Sequence, residues 1–385
     1  MAISSTLDKT AAGVLIAILI LMPLVSHAGG LGVAPLVFIL GLMGLVLHLK
    51  SDDRKIPRSP VFWFLSVFLL WICISSFWSP YQSSGVLTNY MKLLIIGLVL
   101  FFSLGVFRHV ADTKRLVMQR IFIITTFLSA VMVAIDVGTG FKITLFFNPA
   151  PSHEALQFRL IDAEKNLGHA ITVLVLLSVP IILMLKESYK SWKVLSAIYC
   201  GLILIASVQN YLWIGGIGIV GAILTLIVAH KFPHKTLIAV IGLAVASIIF
   251  APLLAFFSSV YSQGDLSHIP GSWEHRLRMW AYCWPVILDN PIIGAGFDAV
   301  RTYDDQWRAR NGLDLSIVSL HPHNAGIHIW TETGIIGCFL AVSSILAAFE
   351  TVKKYTVTAD RAVLISGVII PVVLISSLSL SLIHI

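Results

Sequence analysis

Apolar residues in this chain arrive in long, nearly charge-free runs, separated by short clusters of charge. A run of about eighteen or more such residues reads as a membrane-spanning helix. The pattern predicts eleven spans, over about 11–28, 31–49, 61–78, 90–107, 121–138, 169–185, 194–209, 211–229, 237–257, 325–348 and 362–383. The hydrocarbon layer offers a backbone no hydrogen-bond partner, so each run must close its own bonds as a helix. The expected fold class is therefore all-α, a polytopic integral membrane protein, with residues 1–385 forming one transmembrane domain. Two of the runs are joined with almost no loop, at Gln209-Asn210-Tyr211. The first ends on Ser26-His27-Ala28, a small-x-small sequence of the kind that signal peptides carry. Only Lys9 against Asp8 precedes it and a second apolar run follows at once, so an uncleaved first span is expected.

Composition agrees with the pattern. Hydrophobic residues make up 57% of the chain and charged residues 12%, about half the charged share of a soluble domain. The net charge of +7 does not imply nucleic acid, because most basic residues stand in loops beside apolar runs. They are also unevenly divided. With the N-terminus in the cytoplasm, Lys50, Arg54, Lys55, Arg58, Lys114, Arg115 and Lys353 fall in short cytoplasmic loops, as the positive-inside rule requires. Cys73, Cys200, Cys283 and Cys338 show no metal-ligand spacing and no obvious disulfide pair, which leaves buried apolar roles.

That orientation places two long segments outside, about 139–168 and 258–324. Long loops in compact proteins are usually functional. The second carries Arg276, Arg278, Arg301, Arg308 and Arg310 on the side where basic residues are disfavoured. Within it, residues 273–290 predict an amphipathic helix. Trp273, Leu277, Trp280, Trp284 and Ile287 recur at helical spacing with Arg276 beside them, a stripe suited to the headgroup layer. Asp289-Asn290-Pro291 ends it, and Gly294 and Gly296 allow a tight turn or a close backbone approach. His321-Pro322-His323-Asn324 then stands just before the tenth span, with Asn324 a plausible N-cap. Helix N-termini favour anions. A histidine there is placed to accept a proton from a hydroxyl, since its pKa lies near neutrality. A lone histidine would more simply cap or position the loop. Glu332, within the tenth span, falls four residues after His328 and can share its helix face. It and Asp136, near the outer end of the fifth span, are intramembrane carboxylates and functional suspects by default.

Taken together, Arg276-x-x-x-Trp280, Asp289-Asn290-Pro291-x-x-Gly294-x-Gly296, and His323-Asn324 followed by Gly334-Ile335-Ile336-Gly337 resemble the C-terminal signature of the O-antigen ligase and O-antigen polymerase superfamily. The close likeness covers about 70 residues; the remaining spans agree in general layout. The resemblance implies a helical membrane enzyme of about eleven or twelve spans, similar to the metal-independent C-type glycosyltransferases. It would work at the periplasmic face of the bacterial inner membrane, with no cofactor. The implied donor is a glycan on undecaprenyl diphosphate, and the acceptor is a hydroxyl of lipid A core or another glycan. By motif position His323 matches the family's essential histidine and Arg276 its arginine, while His321 and Asn324 assist or position. Many relatives carry Ser-Arg, then Trp, at the outer end of a middle span. Here Ser207-Val208-Gln209-Asn210-Tyr211-Leu212-Trp213 stands in that place, with Asn210 where arginine would be. Arg159, in the other outer segment, is a substitute cation by location. No Asp-x-Asp cluster is present, so arginine is expected to stabilise the diphosphate, which its planar fork fits well.

Two other functions compete. A polymerase of the same superfamily would use nearly the same site with a different acceptor. A transporter or lipid flippase would need internal repeats and charged, broken helices at the midplane. No clear repeat is visible, and Gly215-Gly216-x-Gly218 is accounted for more plainly by close helix packing.

Overall fold

The computed structural model describes residues 2–25, 30–50, 59–81, 95, 97–99, 101–103, 106, 112–149, 152–210, 213–308, 314–318, 321–355 and 358–378. Nearly all are helical. The helices are α1 (Ala2–Val25), α2 (Gly30–Lys50), α3 (Pro60–Ser75), α4 (Asp112–Gly138), α5 (Lys142–Phe147), α6 (His153–Ser188), α7 (Trp192–Gln209), α8 (Trp213–Lys231), α9 (Pro233–Ile249), α10 (Ala251–Tyr261), α11 (Gly271–Asp289), α12 (Ala325–Tyr355) and α13 (Ala359–Leu378). The expected span at 90–107 lies mostly outside the described residues.

Among the described residues five helices are long and apolar enough to cross a membrane, or six if the bent pair α9–α10 is one span. Shorter apolar helices cover Thr10–Leu21, Pro35–Lys50, Pro60–Ser75 and Gly215–Lys231. The chain is thus an all-α protein with several membrane-spanning helices. Large apolar side chains such as Phe257, Phe339 and Ile227 are more than 60% exposed, a surface that suits lipid and not water.

Three expectations change. The single span at 237–257 is two helices bent by 56° at Phe250. Pro252 in the first turn of α10 explains the break, because its ring collides with the preceding turn of a continuous helix. The segment 139–168 is mostly helical. α5 occupies its start, and α6 begins at His153, well before the expected 169. The charges at Arg159, Asp162, Glu164 and Lys165 hide that helix from a search for apolar runs. The segment 258–324 holds, besides α11, a short antiparallel pair, Gln306–Arg308 with Asp314–Ser316, which an all-α reading omits.

The chain folds into two compact units. One comprises residues 1–56, 95–228 and 370–372; the other 57–94, 229–369 and 373–385. In the first, α4 packs on α1, α6 and α7, and α6 packs on α7. Asp136, expected as a functional suspect, has a structural task here. Its carboxylate accepts the backbone N–H groups of Ile143 (2.7 Å) and Thr144 (3.2 Å) and the Thr144 hydroxyl, and so caps α5.

In the second unit α12 packs against α3, α9, α10 and α11. It is broken at Gly334 (φ 62, ψ −160). A straight helix would bond Ile335 N–H to Thr331 O and Ile336 N–H to Glu332 O. Instead Ile335 N–H donates to Pro291 O (2.9 Å) and Ile336 N–H to Ile292 O (3.3 Å). The released Thr331 and Glu332 carbonyls accept the N–H groups of Ala295 (2.8 Å) and Gly296 (2.9 Å). The third carbonyl, of Thr333, takes the Trp71 indole N–H at 3.1 Å, and Trp78 donates to Gly294 O at 3.0 Å. The turn after α11 is therefore spliced into the break, and the three released carbonyls and the Ile335 and Ile336 N–H groups find partners. That is the condition for irregular backbone inside a membrane protein.

Candidate functional site

α11 carries the arginine and α12 begins just after the histidines, so Arg276, His321, His323, Asn324 and Glu332 all belong to the second unit. Asn290 caps α11, and Pro291 follows, as the sequence predicts. The tryptophan stripe differs from expectation. Trp280 and Ile287 are buried with Met279 and Cys283 against Ala251, Ala255, Val300, Val318 and Ile327, with Trp273, Leu277 and Trp284 packed on that cluster. The stripe faces the protein and does not serve as a headgroup anchor. Periodicity identifies an apolar face, but the nature of its cover is a tertiary property.

Arg276 is half-buried. Its Nη1 donates to Ser272 O at 3.0 Å and its guanidinium lies 5.4 Å from the Trp273 ring centre. Its Nε is buried without a hydrogen-bond partner, and no carboxylate is within salt-bridge reach among the described residues. Burial pulls its pKa below the usual guanidinium value, because desolvation disfavours the charged form. The neighbouring arginines differ. Arg278 binds Glu274 at 2.9 Å and lies over the Trp307 ring, and Arg301 binds Asp298 at 2.9 Å. The Glu274–Arg278 pair stands at i,i+4 spacing, the one signal by which a sequence reveals such a bridge.

His323 has φ 51, a left-handed conformation that is rare for a residue with a Cβ. Its backbone N–H donates to His321 Nδ1 at 3.3 Å, and the two rings lie edge to face at 4.3 Å. An acceptor Nδ1 places the neutral His321 proton on Nε2. Asn324 caps α12 as expected. Its Oδ1 accepts the Ile327 N–H at 2.8 Å, and its Nδ2 donates to Ser377 O of α13 at 2.6 Å. Backbone strain next to a rigid cap persists only where surrounding contacts enforce it. Between these residues runs a bond no sequence pattern suggested: the Trp280 indole N–H donates to Pro322 O at 2.7 Å.

Deeper in α12, His328 and Glu332 are both fully buried, with Nε2 2.9 Å from Oε1, so the i,i+4 pairing holds. Burial, and next the Glu332 carboxylate, push the Asp298 carboxyl above its usual range, while Arg301 pulls it back. Among the described residues no cluster of three or more His, Cys, Asp or Glu side chains could hold a metal ion.

Arg159 and Asn210 belong to the first unit. Asn210 caps the end of α7 and is 5% exposed. Its Nδ2 donates to Glu164 O of α6 at 3.1 Å. Arg159 lies five residues before Glu164, about 7.5 Å along the helix axis.

Comparison with known proteins agrees with the motif. Residues 195–342 match the family model described as O-Antigen ligase. That range holds Asn210, Arg276, His321, His323, Asn324 and Glu332 but not Arg159. Over 91 residues the chain is 30% identical to a putative polysaccharide ligase of Rickettsia typhi, covering 23% of this chain and 22% of that protein. A putative polysaccharide ligase of Rickettsia prowazekii is 31% identical over 91 residues, covering 23% and 22%. One of Rickettsia conorii is 33% identical over 130 residues, covering 32% and 31%. The chain spans less than a third of the length of these curated relatives. No solved structure gives a significant match. The resemblance to the O-antigen ligase superfamily is borne out over this region.

Proposed function

We propose that this protein transfers a glycan from undecaprenyl diphosphate to an acceptor hydroxyl, that of lipid A core or another glycan, at the periplasmic face of the inner membrane. The observation that carries the reading is Arg276. Two of its neighbouring arginines are neutralised by carboxylates, but Arg276 keeps a buried donor unspent, one helical turn before Trp280, whose N–H reaches the Pro322 carbonyl. A half-buried guanidinium in that state favours an anion such as a diphosphate. The ligase match over residues 195–342 supports the same class of chemistry.

In this reading the diphosphate rests on Arg276, and the acceptor oxygen approaches the anomeric carbon from the opposite side. His323 takes the hydroxyl proton as the new C–O bond forms. The bond to the diphosphate breaks, the anomeric configuration inverts, and Arg276 stabilises the charge on the departing group. His321 and Asn324 hold the turn. Glu332 supports it through the His328 pair, and no metal is assigned a part. Arg159, in the first unit, is proposed as an anion-binding cation in its own right. Its favouring feature is its position on the α6 segment that Asn210 contacts, since Asn210 stands where relatives carry arginine.

The test is transfer by purified protein in liposomes, supplied with undecaprenyl diphosphate-linked oligosaccharide and lipid A core. His323→Ala should lower the rate about 10²–10⁴-fold at unchanged membrane abundance. Normal transfer by a well-expressed His323→Ala protein would remove the assignment.

A further inference from the structure

Arg276 and Trp280 are one turn apart on the same face of α11. The Trp280 ring is 3% exposed, wedged in the cluster shared by α10, α11 and the start of α12. Its indole N–H is thereby aimed at a fixed point, and the Pro322 carbonyl occupies that point at 2.7 Å. Pro322 separates His321 from His323, and its carbonyl belongs to the peptide that also carries the His323 N–H. That peptide is held on both sides: its N–H by His321 Nδ1 and its oxygen by Trp280. Rotation about it would swing the His323 ring, whose backbone already sits in an uncommon conformation.

We propose that Trp280 is a positioning residue for glycan transfer: its indole N–H fixes the His323 peptide at a set distance from Arg276. The inference rests on the function proposed above, in which the two residues serve opposite ends of the same displacement. Rate then depends on their spacing, and a misplacement of about 1 Å can cost about 10²-fold. Remove the N–H and the buried Pro322 oxygen loses its donor. The peptide then turns, and His323 no longer faces the acceptor. Arg276 stays on its helix, so donor affinity is spared.

The experiment uses full-length protein in liposomes, with Trp280→Phe and, separately, Trp280 replaced by benzothienylalanine. The latter has the shape of tryptophan but carries sulfur in place of the N–H, and so preserves packing if phenylalanine does not. Competent sites are counted by binding of undecaprenyl diphosphate, and turnover is expressed per bound site. The expected result is a fall in kcat per site of about 10–10²-fold, with undecaprenyl diphosphate affinity within about twofold. Trp284→Phe, one turn further on where the ring contacts Phe256, should leave kcat per site unchanged. A merely structural Trp280 would reduce the number of sites and leave turnover per site intact, and that outcome overturns the inference, as does unchanged kcat in the benzothienylalanine protein. His323→Ala is run beside them. If His323→Ala is inactive and Trp280 variants are normal, only this inference fails; if His323→Ala is active, the underlying reading fails with it.

Discussion

Gly294 and Gly140 form a matched pair for testing the spliced break in α12. Their φ angles are +72 and +71, so an alanine at either position meets the same backbone strain, about 1–2 kcal/mol. Their surroundings differ. A Cβ at Gly140 would meet nothing within 4 Å, whereas at Gly294 it would stand 2.3 Å from Glu332 C and Thr333 N. Those are backbone atoms of a buried helix and cannot swing aside, so the turn must retreat. Its four backbone hydrogen bonds to α12 run from 2.8 to 3.3 Å and have little room to stretch. Each buried peptide group left unpaired costs about 1–3 kcal/mol. Losing two of them adds about 2–6 kcal/mol to the strain, a large part of an ordinary folding stability of about 5–15 kcal/mol. Denaturant unfolding in mild detergent, followed by circular dichroism, should give a small loss for Gly140→Ala and a much larger one for Gly294→Ala. Equal losses in the two variants would refute the argument that the splice holds the break.

Three further outcomes are expected. His321→Ala should impair transfer less than His323→Ala, each compared at equal membrane abundance, because His321 receives the His323 N–H and so positions it; equal losses would give both rings the same role. Arg276→Lys keeps the charge but loses the planar fork and should weaken undecaprenyl diphosphate binding, whereas Arg278→Ala should chiefly cost the Glu274 pairing; unchanged binding by Arg276→Lys and Arg276→Ala would dismiss Arg276 as the diphosphate site. Fusion reporters within residues 258–324 should register the periplasm, and a cytoplasmic signal there would overturn the orientation.

What could be read from the sequence was local. The stop at Asn290-Pro291, the cap at Asn324 and the His328–Glu332 pairing each depend on residues within one helical turn. The structure bears them out. What could not be read was long-range or masked by context. Gly334 stands in an apolar run, where a break looks no different from a continuous helix; only its partners in 291–296 reveal it. The buried face of α11 was identifiable, but the cover supplied by α10 and Val318 was not. Asp136 looked like a site because it is a carboxylate in an apolar stretch. Its real partner, the start of α5, is short and has no distinctive pattern. The Trp280–Pro322 bond joins residues far apart in sequence, and a tryptophan in an apolar stripe advertises packing and gives no sign of its N–H.

The exchange of peptide partners at Gly334 also bears on how the chain is made. The turn at 290–296 leaves the ribosome before α12 does, so one half of the exchange is synthesised ahead of the other. Before the two meet, residues 331–336 have another complete solution, an uninterrupted helix with Ile335 bonded to Thr331 and Ile336 to Glu332. In lipid that straight form is strongly preferred, since an unsatisfied peptide group there costs several kcal/mol. The bent form of α12 therefore requires residues 290–296 beside it. A nascent chain that left this loop behind would keep α12 straight and leave the bent form unmade.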